Sequence, residues 1–276
     1  MKKLLLCIAV LLSTAPAFAA DQKESAYDRV IRTGTLRCGY ILYPPVLMHD
    51  EETETFSGVS ADILAEMAKR LSLKIEWTEE AGMDVILQGL TTGRYDIVCH
   101  PLYVNSARAR AAFFTDAVSY NPTYIVTRAD DSRFDAGYMT LNNPQYKMAF
   151  LEGEITAIFA EQKFPKSAKH SVPQIQGYGF VLKDVAMGKA DATISDPVSV
   201  ANFNKANPEK LKVLQPPLVV NAVAYPIAQD TRLKEMLDVT INEMLMDGWI
   251  NNMTATKYPE YWENILPVGK PYEVKK

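Results

Sequence analysis

The stretch "LTTGRYDIVCHP" (residues 90–101) holds a helix end, a turn and a buried strand within twelve positions. Gly93 suits the left-handed turn that ends a helix. Residues 95–99, "YDIVC", are an apolar run of strand length. The same order returns as "VAMGKADATISDP" (185–197): helix, Gly188, a basic residue, one residue, an aspartate, an apolar strand, a proline. Gly-Lys/Arg-x-Asp is a common helix-to-strand turn, so either copy alone says little. Two copies in matching order, about 100 residues apart, predict two similar lobes rather than a solenoid.

Working outward, each copy closes a strand–helix–strand–helix–strand run. In the first half the strands are 35–40, 74–79 and 95–99. The helices are 60–73, with Ser60 as cap, and 83–92. In the second half the strands are 146–152, 170–175 and 190–195, with Pro173 marking an edge or strand end. The helices there are 154–162 and 178–187. Short links between alternating strands and helices mean a mostly parallel sheet flanked by helices, an α/β fold. The chain continues as a helix at 198–208, strands at 211–215 and 219–229, and a long helix whose stripe includes Leu233, Leu237, Ile241 and Met244. Gly248 ends or bends that helix. The aromatic "YPEYWENILP" (258–267) is read as packing back on the body.

Lys2 and Lys3, the apolar run Leu4–Leu12 and Ala17-Phe18-Ala19 have the order of a secretory signal peptide, assigned to residues 1–19. Cys7 lies too early for a lipid-anchor cysteine, so a soluble exported protein is expected, placed in the periplasm. Basic residues number 29 and acidic 33, a net charge of −4; without the two leader lysines it is 27 − 33 = −6. A mildly acidic chain argues against a nucleic-acid partner. Cys38 and Cys99 are either a disulfide, in an oxidising compartment, or two buried thiols. His49, His100 and His170 are scattered outside any metal motif, so neither a metal nor another cofactor is expected.

In open parallel sheets ligands bind beyond the carboxyl ends of the strands. Those ends carry Cys99-His100-Pro101 and Ser195-Asp196-Pro197. Facing lobes would set a basic segment opposite an acid, which suits a ligand with a negative and a positive group. The basic segment is "NSARARAAFF" (105–114), which should start a helix with Asn105 as cap. Residues two apart on a helix point about 200° apart, so Arg108 and Arg110 cannot both face the cleft. Arg108, in the first turn, is the candidate carboxylate receptor.

These segments together resemble the periplasmic solute-binding proteins of polar amino-acid ABC transporters (family 3, the type II Venus flytrap fold). The resemblance runs over nearly the whole mature chain: "GTLRCGYILYPPV", "FSGVSADILAEMAKRLSLKIEW", "LQGLTTGRYDIV", "NSARARAAFFTD", "GKADATISD" and "RLKEMLDVTINEMLMDGWINNM". It implies a discontinuous first lobe, 25–121 with 228–276, and a second lobe, 122–227, joined by crossings at "YNPTYIV" and "AVAYPIA" that are extended and bend. It implies that Arg108 grips a ligand α-carboxylate and Asp196 its α-amine, with Tyr43 an aromatic wall. Glu154 and Ile155 stand at a helix start whose backbone N–H groups also meet the carboxylate. Against each stands a plainer role: Asp196 as helix cap, Tyr43 as core, Glu154 as a helix N-terminal acid.

The chain departs from the family at His100, Pro101 and Tyr103, where small hydroxyl residues are frequent, and at Asn105, which replaces a threonine. The pocket should be more aromatic, with an α-amino acid as leading ligand class; a larger aromatic or an amine-bearing acid also suits His100, Tyr103 and Glu154. The resemblance implies a monomeric receptor, not an enzyme, that hands its ligand to a membrane permease. Two other classes stay open. One is a periplasmic dehydratase similar to cyclohexadienyl dehydratases, with Glu154 or Asp196 as the acid and His100 as partner. The other is a detached sensory partner of a membrane kinase.

Overall fold

The computed structural model describes residues 24–269. The assigned signal peptide, 1–19, lies outside them. Two main sheets form, one of five strands and one of seven, together with a small two-stranded ribbon.

In the first sheet Thr35–Tyr40 lies between Lys74–Glu80 and Ile97–Val98, parallel to both. Antiparallel Pro226–Ile227 and Phe113–Phe114 complete it. In the second sheet Lys147–Leu151 lies between Ala168–Val172 and Ala192–Ser195, again parallel to both. The repeat is thus topological. In each half the first strand is central, the second lies on one side and the third on the other.

The repeated order inside the two turns has a physical cause. Gly93 and Gly188 adopt positive φ, 76° and 73°, where a Cβ would be strained. The aspartate three residues later accepts a backbone N–H from the central strand: Arg37 N–H to Asp96 Oδ2 at 2.9 Å, and Lys147 N–H to Asp191 Oδ2 at 2.8 Å. Each aspartate therefore pins the end of one strand to its neighbour, satisfying a donor that the ladder leaves over. Asp96 is buried and also pairs with Arg29 and Arg37.

The helices bury their apolar stripes on these sheets. Val59–Leu71 turns Ile63, Leu64, Met67 and Ala68 inward. Thr231–Met246 packs Leu233, Leu237, Ile241 and Met244 into the same core. The C-terminal helices therefore return to the first sheet. Gly248 separates Thr231–Met246 from Trp249–Lys257, a bend with φ 82°.

Several expectations change at their edges. The cap of the helix at 59–71 is Gly58 rather than Ser60. Ser60 sits inside the helix, and its hydroxyl donates to the Cys99 carbonyl at 2.7 Å. The helix expected at 83–92 starts at Ile86, leaving Met83 in a turn. The strand expected at 170–175 is Ala168–Val172, and it stops at Pro173, which has no N–H to donate. The strands expected at 211–215 and 219–229 are one strand, Leu211–Ala224, then a break and Pro226–Ile227. Its register shifts between Leu214 and Val219, where Pro216 and Pro217 interrupt the ladder. Cys38 and Cys99 form a disulfide, with Cα atoms 5.5 Å apart.

Ser119–Arg128 and Leu211–Ala224 pair antiparallel along much of their length, and both belong to the second sheet. Their first and last residues run on toward the first sheet. Leu102–Tyr103 joins the ladder at Val223–Ala224, and Leu266–Pro267 joins it at Ser119–Tyr120. This strand pair is the physical link between the two halves.

Candidate functional site

A cavity of about 180 Å³ lies between the two sheets, at the carboxyl ends of the parallel strands. The expected residues Tyr43, His100, Tyr103, Arg108, Glu154, Ile155 and Asp196 all line it. Asn105 does not. Its side-chain oxygen accepts the Arg108 N–H at 2.9 Å, so it caps the helix from behind the site. That helix is a single turn, Ser106–Ala109, because the chain swings away to form the strand Phe113–Phe114. Any anion recognition here thus belongs to the guanidinium and not to a helix dipole.

Arg108 Nη1 donates to the Tyr103 carbonyl at 2.8 Å, and Nη2 contacts Met83 Sδ at 3.7 Å. A guanidinium carries five N–H donors, so these two contacts aim it and leave donors for a ligand. Arg110, two residues on, is exposed, as the helical spacing requires.

His100 is held where the strand Ile97–Val98 ends. The preceding Cys99 donates its N–H to Gly39 O at 2.8 Å, accepts from Ser60, and is bonded to Cys38. His100 is only 8 % exposed, and its Nδ1 has no hydrogen-bond partner. Burial, with the nearby Arg108 charge second, lowers its pKa to about 4, so the ring is neutral at pH 7. Its ring meets Tyr43 edge-on at 5.8 Å.

From the second sheet come two carboxylates. Asp196 caps the helix Pro197–Ala206: Oδ1 accepts Ser199 N–H at 2.8 Å, and Oδ2 accepts the Ser199 hydroxyl at 2.7 Å. The capping role and the cavity-lining role therefore coexist. Ser199 Oγ also lies 2.9 Å from the Tyr43 hydroxyl. Ser199 has one hydroxyl proton and gives it to Asp196, so Tyr43 is the donor in that bond. A hydrogen-bond chain Tyr43–Ser199–Asp196 thus crosses from one half to the other.

Glu154 follows the strand Lys147–Leu151 and stands at the N-cap of Ile155–Lys163, but its side chain makes no capping bond. It faces the cavity, and burial pushes its carboxyl pKa up; Arg108 opposes that shift and Asp196 adds to it. Two residues on, Thr156 is 8 % exposed and its hydroxyl is unpartnered.

Other lining residues escaped the sequence reading: Met83, Asn121, Thr123, Thr156, Tyr178 and Tyr261. Thr156 was legible as the first turn of a helix already placed, and Asn121 lies in the crossing segment. Tyr178 and Tyr261 carry no local signal. Tyr261, expected only to pack, is buried in the first core and also walls the cavity. Among the described residues no group of three or more His, Cys, Asp or Glu could hold a metal ion, and no helix is long and apolar enough to cross a membrane.

The model of the bacterial extracellular solute-binding proteins, family 3, matches residues 36–258. A probable amino-acid ABC transporter-binding protein of Haemophilus influenzae is 27% identical over 212 residues, covering 75% of this chain and 77% of that protein. The L-cystine-binding protein TcyA of Bacillus subtilis is 26% identical over 225 residues, covering 76% and 79%. Among solved structures, the ancestral amino acid-binding protein AncCDT-1, titled a precursor of cyclohexadienyl dehydratase, superposes with a TM-score of 0.69 at 23% identity. The match covers 84% of this chain and 99% of that one, and it shows the shared fold. A match over most of the chain, on a two-lobe α/β architecture, establishes that this protein belongs to family 3 of the bacterial extracellular solute-binding proteins.

Proposed function

We propose that the chain captures a small amino acid or related carboxylate between its lobes and delivers it to the permease of an ABC transporter. The lobes are taken as 25–121 with 228–276, and 122–227. The protein would work as a periplasmic monomer after loss of residues 1–19. One observation carries the reading: a single cavity lined by an anchored guanidinium, Arg108, and by Asp196 and Glu154 from the other half. A zwitterion touching both sides is bound fully only when the halves are closed, so it shifts the population to the closed form. The volume fits a modest ligand; an apolar cavity of about 150 Å³ takes one benzene molecule, and this one is about 180 Å³.

Arg108→Ala tests the assignment by isothermal titration, after a thermal-shift screen has found the best ligand. Each charge-assisted hydrogen bond is worth about 1.5–3 kcal/mol, so affinity should fall about 10- to 100-fold or more. Unchanged affinity would remove Arg108 from the site.

The dehydratase reading keeps one observation in its favour: Glu154 is a cavity carboxyl whose pKa burial raises, as a general acid requires. Incubation with prephenate or arogenate decides. Turnover supports the enzyme, and saturable binding alone supports the receptor.

A further inference from the structure

The charges around the cavity do not balance. Arg108 contributes one positive charge, and Glu154 and Asp196 contribute two negative charges. His100 is neutral and adds nothing. A zwitterion brings no net charge, so binding one leaves a half-buried carboxylate of the cavity without a counter-charge. An unpaired charge costs more the further it is drawn from water, as when a ligand closes over it.

Hydrogen-bonding capacity points the same way. Asp196 has its own partner in Ser199 and reaches the cavity from the N-terminus of one helix. Glu154 stands at the start of another helix, makes no capping bond there and turns to the cavity. Two buried side chains of the lining also lack partners: the Thr156 hydroxyl, two residues from Glu154, and His100 Nδ1 on the side of Arg108. A carboxylate only accepts, a hydroxyl can accept, and a neutral imidazole has one accepting nitrogen. The wall contributed by the second sheet, with Glu154, Thr156 and Asp196, is therefore rich in acceptors. Ile155, Ile194 and Val198 also line the cavity, apolar surface suited to a methylene chain.

We propose that the cavity selects an amino acid with a cationic side chain, with Asp196 holding the α-amine and Glu154, assisted by Thr156, holding the second cation. This rests on the reading that Arg108 takes the carboxylate, and it adds a chemical class to that reading. A ligand with one negative and two positive charges brings the charge in the cavity to zero. The groups acting on Glu154 by charge are Arg108 and Asp196, and Glu154 in turn acts on Tyr43 and Tyr178. Burial and Asp196 both work against ionised Glu154, and a ligand cation relieves both.

The test is isothermal titration at pH 7.5 of wild type, Glu154→Gln and Arg108→Ala, with lysine, ornithine, arginine, norleucine and glutamate as probes. Norleucine keeps the lysine chain without its ammonium. At least one basic amino acid should bind wild type tenfold or more tighter than norleucine, with glutamate weakest. Glu154→Gln should erase that preference while its melting temperature shows a folded protein. In wild type the preference should also shrink as pH falls toward the carboxylate range, an arm that needs no variant. Norleucine or glutamate binding wild type as tightly as the basic amino acids would overturn the proposal. A preference surviving Glu154→Gln would overturn the role of Glu154. In either case a loss of affinity in Arg108→Ala would leave the capture reading standing. If no probe binds wild type, the cationic selection falls, and the thermal-shift screen alone decides the capture reading.

Discussion

Reducing the Cys38–Cys99 disulfide should cost the fold about 4 kcal/mol and the site much less. The bridge closes a loop of sequence separation 61, for which the loop-closure relation gives about 14 cal/mol/K, or about 4 kcal/mol at 25 °C. That is a large part of the roughly 5–15 kcal/mol by which a domain is stable. At about 2–4 °C per kcal/mol for a chain of this size, the melting temperature should drop by about 8–16 °C. Both cysteines are fully buried, so the bond must be reduced in unfolded protein and the reduced protein refolded. Urea unfolding of that sample isolates the crosslink. Cys38→Ala with Cys99→Ala adds the void left by two buried sulfurs and should be less stable still. Ligand affinity should change by less than about tenfold. The strand end stays tied by the Cys99 N–H bond to Gly39, by Ser60 on the Cys99 carbonyl, and by Leu102–Tyr103 in the second sheet. A reduced protein within about 1 kcal/mol of the oxidised one would refute the loop-entropy reasoning. Abolished binding in a reduced, folded sample would show that the bridge itself shapes the site.

Three further outcomes are expected. Ser199→Ala removes the hydroxyl between Tyr43 and Asp196 and should weaken ligand binding about 3- to 10-fold, while Tyr43→Phe, losing only the bond between halves, should weaken it less; titration calorimetry separates them. Asp96→Ala strips the shared partner from Arg29 and Arg37 and should destabilise by about 3 kcal/mol in denaturant melts; ligand affinity of the folded protein should hold, because Asp96 does not line the cavity. His100 has a folded pKa lowered to about 4 from 6.5, so the unfolded chain binds the extra proton. Its contribution is present above about pH 6.5 and lost as pH falls to about 4, up to about 3 kcal/mol. Unfolding at pH 7 and pH 5 should show about 2 kcal/mol of this loss, and it should shrink in His100→Gln.

Local patterns carried most of the architecture. The Gly-basic-x-Asp echo, the two helical stripes and the short apolar strands are short-range signals. Each reports a backbone need that neighbouring residues meet: a positive φ at Gly93 and Gly188, an apolar face one helix wide. Arg108 was legible because helical spacing forbids it from sharing a face with Arg110, and Asp196 because it ends a strand before a proline.

Element ends were less legible, since a competing partner decides them. Ser60 could cap its helix by sequence, yet the Cys99 carbonyl, 39 positions away, takes its hydroxyl. Asn105 was expected both to cap its helix and to reach the pocket; it caps, accepting the Arg108 N–H, and that bond turns its side chain away from the cavity. The disulfide, too, needed the tertiary fold. Cys38 sits on one strand and Cys99 just past the end of another, and only sheet pairing brings the two together, with Cα atoms 5.5 Å apart.

By itself, then, the sequence determined the α/β repeat, its two halves and the residues at the strand ends, because these follow from periodicities and turns spanning a few residues. Only the tertiary structure decided which of those residues meet. Tyr43 reaches Ser199 across 156 positions, and Tyr261 arrives from the far end of the chain to wall the cavity. Distances between remote segments are set by packing of the whole, and no local pattern encodes them.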